Sequence, residues 1–316
     1  MQHDMKLDPE ARAVIAANAE AAAKLPPLPP NPSPDVERAR NEMLGAAAAA
    51  GGPDMVQTSE RWIAARGRRI FCRLHRPVEK PALPVAVYFH GGGWFFSSVD
   101  THDRVAREIA AAGEVAVVNV DYALSPEAKF PQALEECAAV VRHLATNGTD
   151  WQLDPTRIVV CGDSAGGNLA LATALLLRDV GGPRLRGVLA AYPVCDSEFS
   201  TPSYCEFATG LSLTAEKMRF YWNAYVSHAV DMVHPLAAPL RADLKGLPPV
   251  LLQVAEVDVL RSEGEVLGRK LRDAGVAVEF EILPGLAHGF LRTTGKVARA
   301  REAMARAGAW LRRVTS

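Results

Sequence analysis

The sequence predicts an α/β fold, a mostly parallel central sheet flanked by helices. Three observations predict it. Short, continuously apolar runs such as 83–90 (LPVAVYFH) and 115–122 (VAVVNVDY) read as strands buried on both faces. Stretches of a dozen or more residues with helical character separate them. The two alternate along most of the chain, which is how strand–helix–strand crossovers build a parallel sheet.

The elements follow in order. Residues 8–24 are rich in alanine, the best helix former. The proline-rich stretch 26–34 ends that helix, because proline removes a backbone donor and restricts the residue before it. Ser33-Pro34-Asp35 reads as the start of a second helix, stopped by Gly51-Gly52-Pro53. Both precede any strand signal, so 1–55 is an accessory segment. Residues 59–66 and 69–75 flank Gly67 as a hairpin. Strands are then expected at 83–90, 115–122, 157–162, 185–193, 250–258 and 276–283. Helices are expected at 101–112 (with Gly113 as the stop), 131–147, 164–179, 262–274 and 295–313. The stretch 196–245 breaks the rhythm. It carries Phe199, Tyr204, Phe207, Phe220, Tyr221, Trp222 and Tyr225, and suits a lid beyond the sheet's C-terminal edge.

Composition narrows the function. The chain has 316 residues, enough for one large domain with an accessory element. Its 35 basic and 36 acidic residues nearly cancel, so no charged face for nucleic acid or anionic lipid is expected. No run reaches the ~18 apolar residues of a membrane span, and the N-terminus lacks a signal-peptide pattern. The five cysteines, Cys72, Cys137, Cys161, Cys195 and Cys205, are odd in number and form no CxxC pair. Reduced thiols and a cytoplasmic location are therefore expected.

Four segments carry chemistry. Gly162-Asp163-Ser164-Ala165-Gly166-Gly167 follows a strand and opens a helix. Small residues on either side of the serine allow a sharp turn that lifts its hydroxyl off the sheet, making Ser164 the candidate nucleophile. The bland alternative is a helix-capping serine beside a packing glycine pair. His90-Gly91-Gly92-Gly93-Trp94 follows another strand. Bare glycine backbone can bring N–H groups close to a developing oxyanion, so Gly92 and Gly93 are expected donors, joined by Ala165 at the helix start. His90 is expected to anchor that loop with Gly91 and Asp163 in support, not to act as base. His288, in the loop after the strand ending near Leu283, is the expected base. A reference pKa of about 6.5 lets a histidine take a serine proton and return it to a leaving group. Asp258, at the end of the 250–258 strand, is the expected orienting acid, with Glu256, Glu263 and Asp196 as rivals. His228 and His234 lie in or beside the lid, and His3, His75, His102 and His143 have no motif around them. There is no HExxH, CxxC pair, Walker loop or GxGxxG, so neither a metal nor a nucleotide cofactor is expected.

With the DYALSPEAKFP stretch at 121–131 and the DVLRSE segment at 258–263, these motifs resemble the bacterial hormone-sensitive lipase family of carboxylesterases, on the α/β-hydrolase fold. The similarity runs from about residue 55 to the end. The family order of nucleophile, acid and base matches Ser164, Asp258, His288. The resemblance implies a helical cap built from 1–55 and 196–240, over a core at 56–195 and 241–316. It implies hydrolysis of short-to-medium acyl esters without a metal, a small-molecule ester as partner, and a homodimer as in many relatives. One departure is Val259, where the family often has proline after the acid. Trp94, Phe95, Tyr192, Phe207, Leu211, Leu260, Leu286 and Phe290 are placed near the substrate pocket. An amidase or lactonase on the same groups, or a non-catalytic small-molecule receptor, are the alternatives.

Overall fold

The computed structural model describes residues 6–316; residues 1–5, with His3 and the start of the 1–55 segment, lie outside the described residues. Among the described residues the sheet has eight strands: β1 (Gln57–Ala65), β2 (Arg68–Arg76), β3 (Leu83–Phe89), β4 (Ala116–Asp121), β5 (Leu153–Asp163), β6 (Gly187–Ala191), β7 (Val250–Val257) and β8 (Val278–Ala287). Their order is β1-β2-β4-β3-β5-β6-β7-β8. The β1–β2 and β2–β4 pairs are antiparallel and the others parallel. The chain reverses its direction of travel across the sheet between β3 and β5, where Phe89 pairs with Gly162. Crevices at such switch points, beyond the C-terminal strand ends, are where open α/β sheets bind ligands. The two motif loops, 90–94 and 162–167, leave the sheet from those two ends.

The strands are apolar on both faces because both faces are covered. Val85, Val87 and Phe89 of β3 face α4 (Gln132–Asn147), α5 (Ala165–Asp179) and α8 (Arg261–Asp273). Ala86 and Tyr88 face α3 (Asp103–Gly113) and α9 (Ala298–Thr315). Period-two alternation thus serves two cores at once. Gly113 is the last residue of α3 rather than its stop: Glu114 takes the left-handed turn (φ 51°), and Gly113 lies against Leu311 of α9. The left-handed residue after a helix is usually glycine, but here close packing claims the glycine one position earlier.

Strand ends differ from the sequence-based expectation in two informative places. β5 begins at Leu153, before the apolar run, by pairing with Leu83. β8 continues past Leu283 to Ala287, because the Gly285 N–H donates to the Glu256 carboxylate at 2.7 Å and Ala287 pairs with Val257. The last pairing brings the residue after β8 beside the residue after β7.

The accessory segment forms α1 (Pro9–Lys24) and α2 (Pro34–Ala49). Residues 196–245 fold into α6 (Pro202–Glu206), α7 (Ala215–Tyr225) and short 3-10 turns, elements the sequence pattern left undivided. This segment is locked to the core. Trp94 stacks on Tyr225 at 4.0 Å between centroids and meets Trp222 edge-on at 5.2 Å. Lys129 Nζ donates to the carbonyls of Ala224 and Val226 at the end of α7, and the Phe130 N–H to that of Tyr225. All five cysteines are free, with only Cys205 exposed. No helix among the described residues is long and apolar enough to cross a membrane.

Because Trp222 is fully buried while its neighbour Phe220 is 44% exposed, Trp222→Ala is expected to lower the unfolding free energy by about 3–5 kcal/mol. Phe220→Ala is expected to lower it by under about 1 kcal/mol. Urea titrations of the two variants check this; equal effects would mean that α7 is not packed as described.

Candidate active site

Ser164 occupies a turn that few residues tolerate. Its backbone stands at φ 54° and ψ −120°, between the end of β5 and the start of α5. Its N–H donates to the Ala191 carbonyl at 2.9 Å, and its own carbonyl accepts from Asn168 and Val194. The turn is tight enough that a Cβ at Gly162 would strike the Gly166 carbonyl, and one at Gly166 would strike that of Phe89. The absence of side chains at these two positions lets β3, β5 and α5 converge under the serine.

The structure brings three separated residues together above that turn. His288 Nε2 lies 2.9 Å from Ser164 Oγ. His288 Nδ1 lies 2.7 Å from Asp258 Oδ2. Asp258 is 1% exposed, and its other oxygen accepts the Leu260 N–H at 3.0 Å. With an acceptor-only carboxylate facing Nδ1, that nitrogen carries the proton and Nε2 presents its lone pair to the serine hydroxyl. The edge of the Tyr192 ring backs the imidazole, with centroids 4.9 Å apart. The rival acids serve elsewhere: Glu256 accepts from Gly285, Glu263 from the Cys195 N–H, and Asp196 from Arg241. Val259, the residue after Asp258, is held by Ser203 of α6, whose hydroxyl donates to its carbonyl at 2.5 Å.

The glycine loop is anchored by Asp163, a residue whose sequence signal was only its place in the motif. Its Oδ1 accepts from the Gly91 N–H at 2.9 Å and from the Tyr88 hydroxyl at 2.6 Å, and its Oδ2 from the Tyr192 hydroxyl at 3.3 Å. Burial pushes this carboxyl up, but His102 and these donors together hold it well below the usual carboxylate range. The His90 ring stacks on Tyr122 at 4.4 Å, and the Tyr122 hydroxyl donates to the His90 carbonyl at 2.6 Å. Burial, with help from His102, pushes the His90 pKa down to about 3. The loop then doubles back as Phe95 and Phe96 donate to the Gly92 carbonyl. Among the described residues the N–H groups of Gly92, Gly93 and Ala165 have no partner within the protein, leaving three donors beside the serine.

These groups open into a cavity of about 580 Å³ that contains Ser164, His288, Gly92 and Gly93 in its lining. Leu211, Leu286 and Phe290 are also in its lining. Trp94, Phe95, Tyr192, Phe207 and Leu260 do not, which corrects their assignment to the pocket. Trp94 is turned into the core by its left-handed backbone (φ 56°) and the Tyr225 stack. Phe95 packs against Phe220, Tyr192 lies against the His288 ring, Phe207 sits under Arg261, and Leu260 caps the start of α8 in the core. Tyr221, one of the lid aromatics, lines the cavity too, as do Val14 and Ile15 of α1, Leu44 and Gly45 of α2, and Arg292, which sequence reading did not name. The one signal for the α1 and α2 residues is small or apolar residues recurring on one face of each helix. A separate cavity of about 870 Å³, lined by Arg73, Asp100, Asp103 and other charged groups, contains none of these residues. Among the described residues no cluster of His, Cys, Asp or Glu is arranged to hold a metal ion.

Residues 86–292 match the family described as having the alpha/beta hydrolase fold. The chain is 40% identical over 241 residues to the carboxylesterase NlhH of Mycobacterium tuberculosis, covering 75% of this chain and 76% of that protein. It is 33% identical over 245 residues to an ethyl acetate hydrolase of Pseudomonas putida, covering 75% and 76%. Among solved structures, a thermostable esterase from Pseudomonas putida superposes with a TM-score of 0.90 at 36% identity, covering 98% of each chain. A hyperthermophilic esterase from Pyrobaculum calidifontis gives 0.90 at 34% identity, covering 97% of this chain and 98% of that one.

The buried imidazole of His90 makes stability depend on pH. Its folded-state pKa lies near 3 against 6.5 for the free side chain, so between these values the unfolded chain binds a proton that the folded chain refuses. Its contribution is therefore complete above the unfolded value and is lost as pH falls through this window; His102, also pushed down by burial, acts in the same direction. Urea unfolding is expected to show falling stability from pH 7 toward pH 4, with a shallower fall in His90→Gln. An unchanged slope in the variant would contradict the assignment.

Proposed function

Because this chain belongs to the α/β-hydrolase fold family, in its hormone-sensitive-lipase-like branch, we propose that it is a carboxylesterase that hydrolyses short-to-medium acyl esters through Ser164, His288 and Asp258. The observation that carries this reading is the unbroken contact chain Ser164–His288–Asp258, at 2.9 and 2.7 Å, beside three unpartnered N–H groups. His288 Nε2 takes the Ser164 proton as Oγ attacks the ester carbonyl. The N–H groups of Gly92, Gly93 and Ala165 receive the oxyanion, already oriented before charge develops. His288 then gives its proton to the departing alcohol, leaving an acyl-serine. Water attacks that acyl group with His288 again as base, and the acid leaves. Asp258 stays ionised and steadies the imidazolium between the two proton transfers.

Residues 1–55 and 196–240 form the cap in this reading. Helices α1 and α2 wall one side of the cavity and the 210–221 stretch another, which suits a small ester better than a long acyl chain. The near-balanced charge and five free thiols favour action in the cytoplasm.

Ser164→Ala and His288→Asn are each expected to lower kcat/KM for p-nitrophenyl butyrate by roughly 10⁴-fold or more, with circular dichroism unchanged. Asp258→Asn, which removes the partner that fixes the tautomer, is expected to lower it by roughly 10³–10⁴-fold. Retention of activity within tenfold in either of the first two would overturn the roles of nucleophile and base. A panel of matched amides and lactones is expected to turn over far more slowly than the esters.

A further inference from the structure

We infer that the cavity selects esters that carry a second, ionised carboxylate, held by Arg292 with Lys217 and Lys296 lining the same cavity. The inference rests on the esterase reading and names its substrate class.

The first observation is charge. The chain as a whole is nearly neutral, at −1. The cavity is not. Its described lining contains Arg104, Lys217, Arg292 and Lys296, and Asp163 is the one carboxylate among them. Asp163 is already engaged by Gly91, Tyr88 and Tyr192.

The second observation is the state of those cations. Arg104 is satisfied, by Glu108 at 2.8 Å and by the Ala50 carbonyl at 2.9 Å. Among the described residues Lys217 donates only to the neutral carbonyl of Ser212. Among the described residues the side chains of Arg292 and Lys296 make no hydrogen bond or ion pair, and Arg292 Nε is buried without a partner. Glu42 lies near enough to feel the Arg292 charge, yet is bonded to Ser98 and forms no ion pair with it. A guanidinium with a buried, unsatisfied nitrogen lowers its free energy when an anion meets it.

The third observation is position. Arg292 follows His288 by four residues, in the 3-10 turn Phe290–Thr293. It reaches across to α2, where a Cβ at Gly45 would lie 2.9 Å from Nη2. Lys217 stands on α7, on another wall of the same cavity. A carboxylate on either the acyl or the alcohol part of an ester could meet this cluster while the ester carbonyl sits at Ser164. The planar guanidinium fork matches a carboxylate better than a point charge does.

The test uses chain-matched pairs with the intact protein: monoethyl adipate against ethyl hexanoate for the acyl side, and 4-acetoxybutyrate against butyl acetate for the alcohol side. The readout is the anionic-to-neutral ratio of kcat/KM, which cancels any general loss of activity. In the wild type the ratio is expected to reach about tenfold or more in at least one pair, as a charge-assisted pair allows, and to fall as salt is raised. Arg292→Gln is expected to bring it to about one, and Lys217→Gln to lower it less. A wild-type ratio at or below one in both pairs, or a ratio that Arg292→Gln leaves unmoved, overturns the inference while the esterase reading stands. Should Arg292→Gln not fold, the wild-type ratio and its salt dependence decide. Hydrolysis of none of the four substrates would instead remove the esterase reading.

Discussion

The turn between β5 and α5 can form only because positions 162 and 166 lack side chains. With a Cβ at either, the strand β3 backbone and the first turn of α5 would collide with it. Without one, Ser164 is held at φ 54° by backbone bonds on both sides, to Ala191 and from Asn168 and Val194. Such a backbone costs free energy, and the surrounding hydrogen bonds and core packing keep it in place. Every functional distance in the cavity is measured from this fixed hydroxyl. The position of His288 depends on it through the sheet: Ser164 directly follows β5, Asp258 follows β7 and His288 follows β8, and the parallel ladder sets their spacing.

Rigidity beneath the hydroxyl is matched by a buried polar network beside it. Asp163 ties the glycine loop to the serine turn with one carboxylate, so the glycine N–H groups and the Ser164 hydroxyl are positioned by adjacent residues of one strand end. His90 and Tyr122 brace the loop from behind. Donors fixed in advance need no reorganisation when charge appears, and that is where such sites gain most of their effect. The 196–245 segment is tied to the core: Trp94, whose motif position suggested a substrate contact, stacks on Tyr225 of α7 instead.

Much of this was legible in the sequence because it is local. The strand–glycine–serine–glycine–helix pattern requires the turn at 162–167, and apolar runs bounded by helices require the parallel sheet. The distances from Ser164 to His288 and Asp258 were not legible. They follow from β8 extending four residues beyond its apolar run, an extension secured by the Glu256 side chain. The cavity walls were illegible for the same reason. Five of eight expected pocket residues point into the core, since an aromatic or leucine beside a motif satisfies packing and substrate contact equally well on paper. Arg292 carried no pattern at all; only its lack of partners in three dimensions singles it out.

The central claim is that Ser164 alone is activated to attack an acyl or phosphoryl centre. Stoichiometric labelling by diethyl p-nitrophenyl phosphate, followed by peptide mass mapping, tests it most directly. The expected result is one phosphoryl group per chain on Ser164, with loss of all esterase activity in step. Labelling at another serine, or full labelling of Ser164 with activity retained, would contradict it.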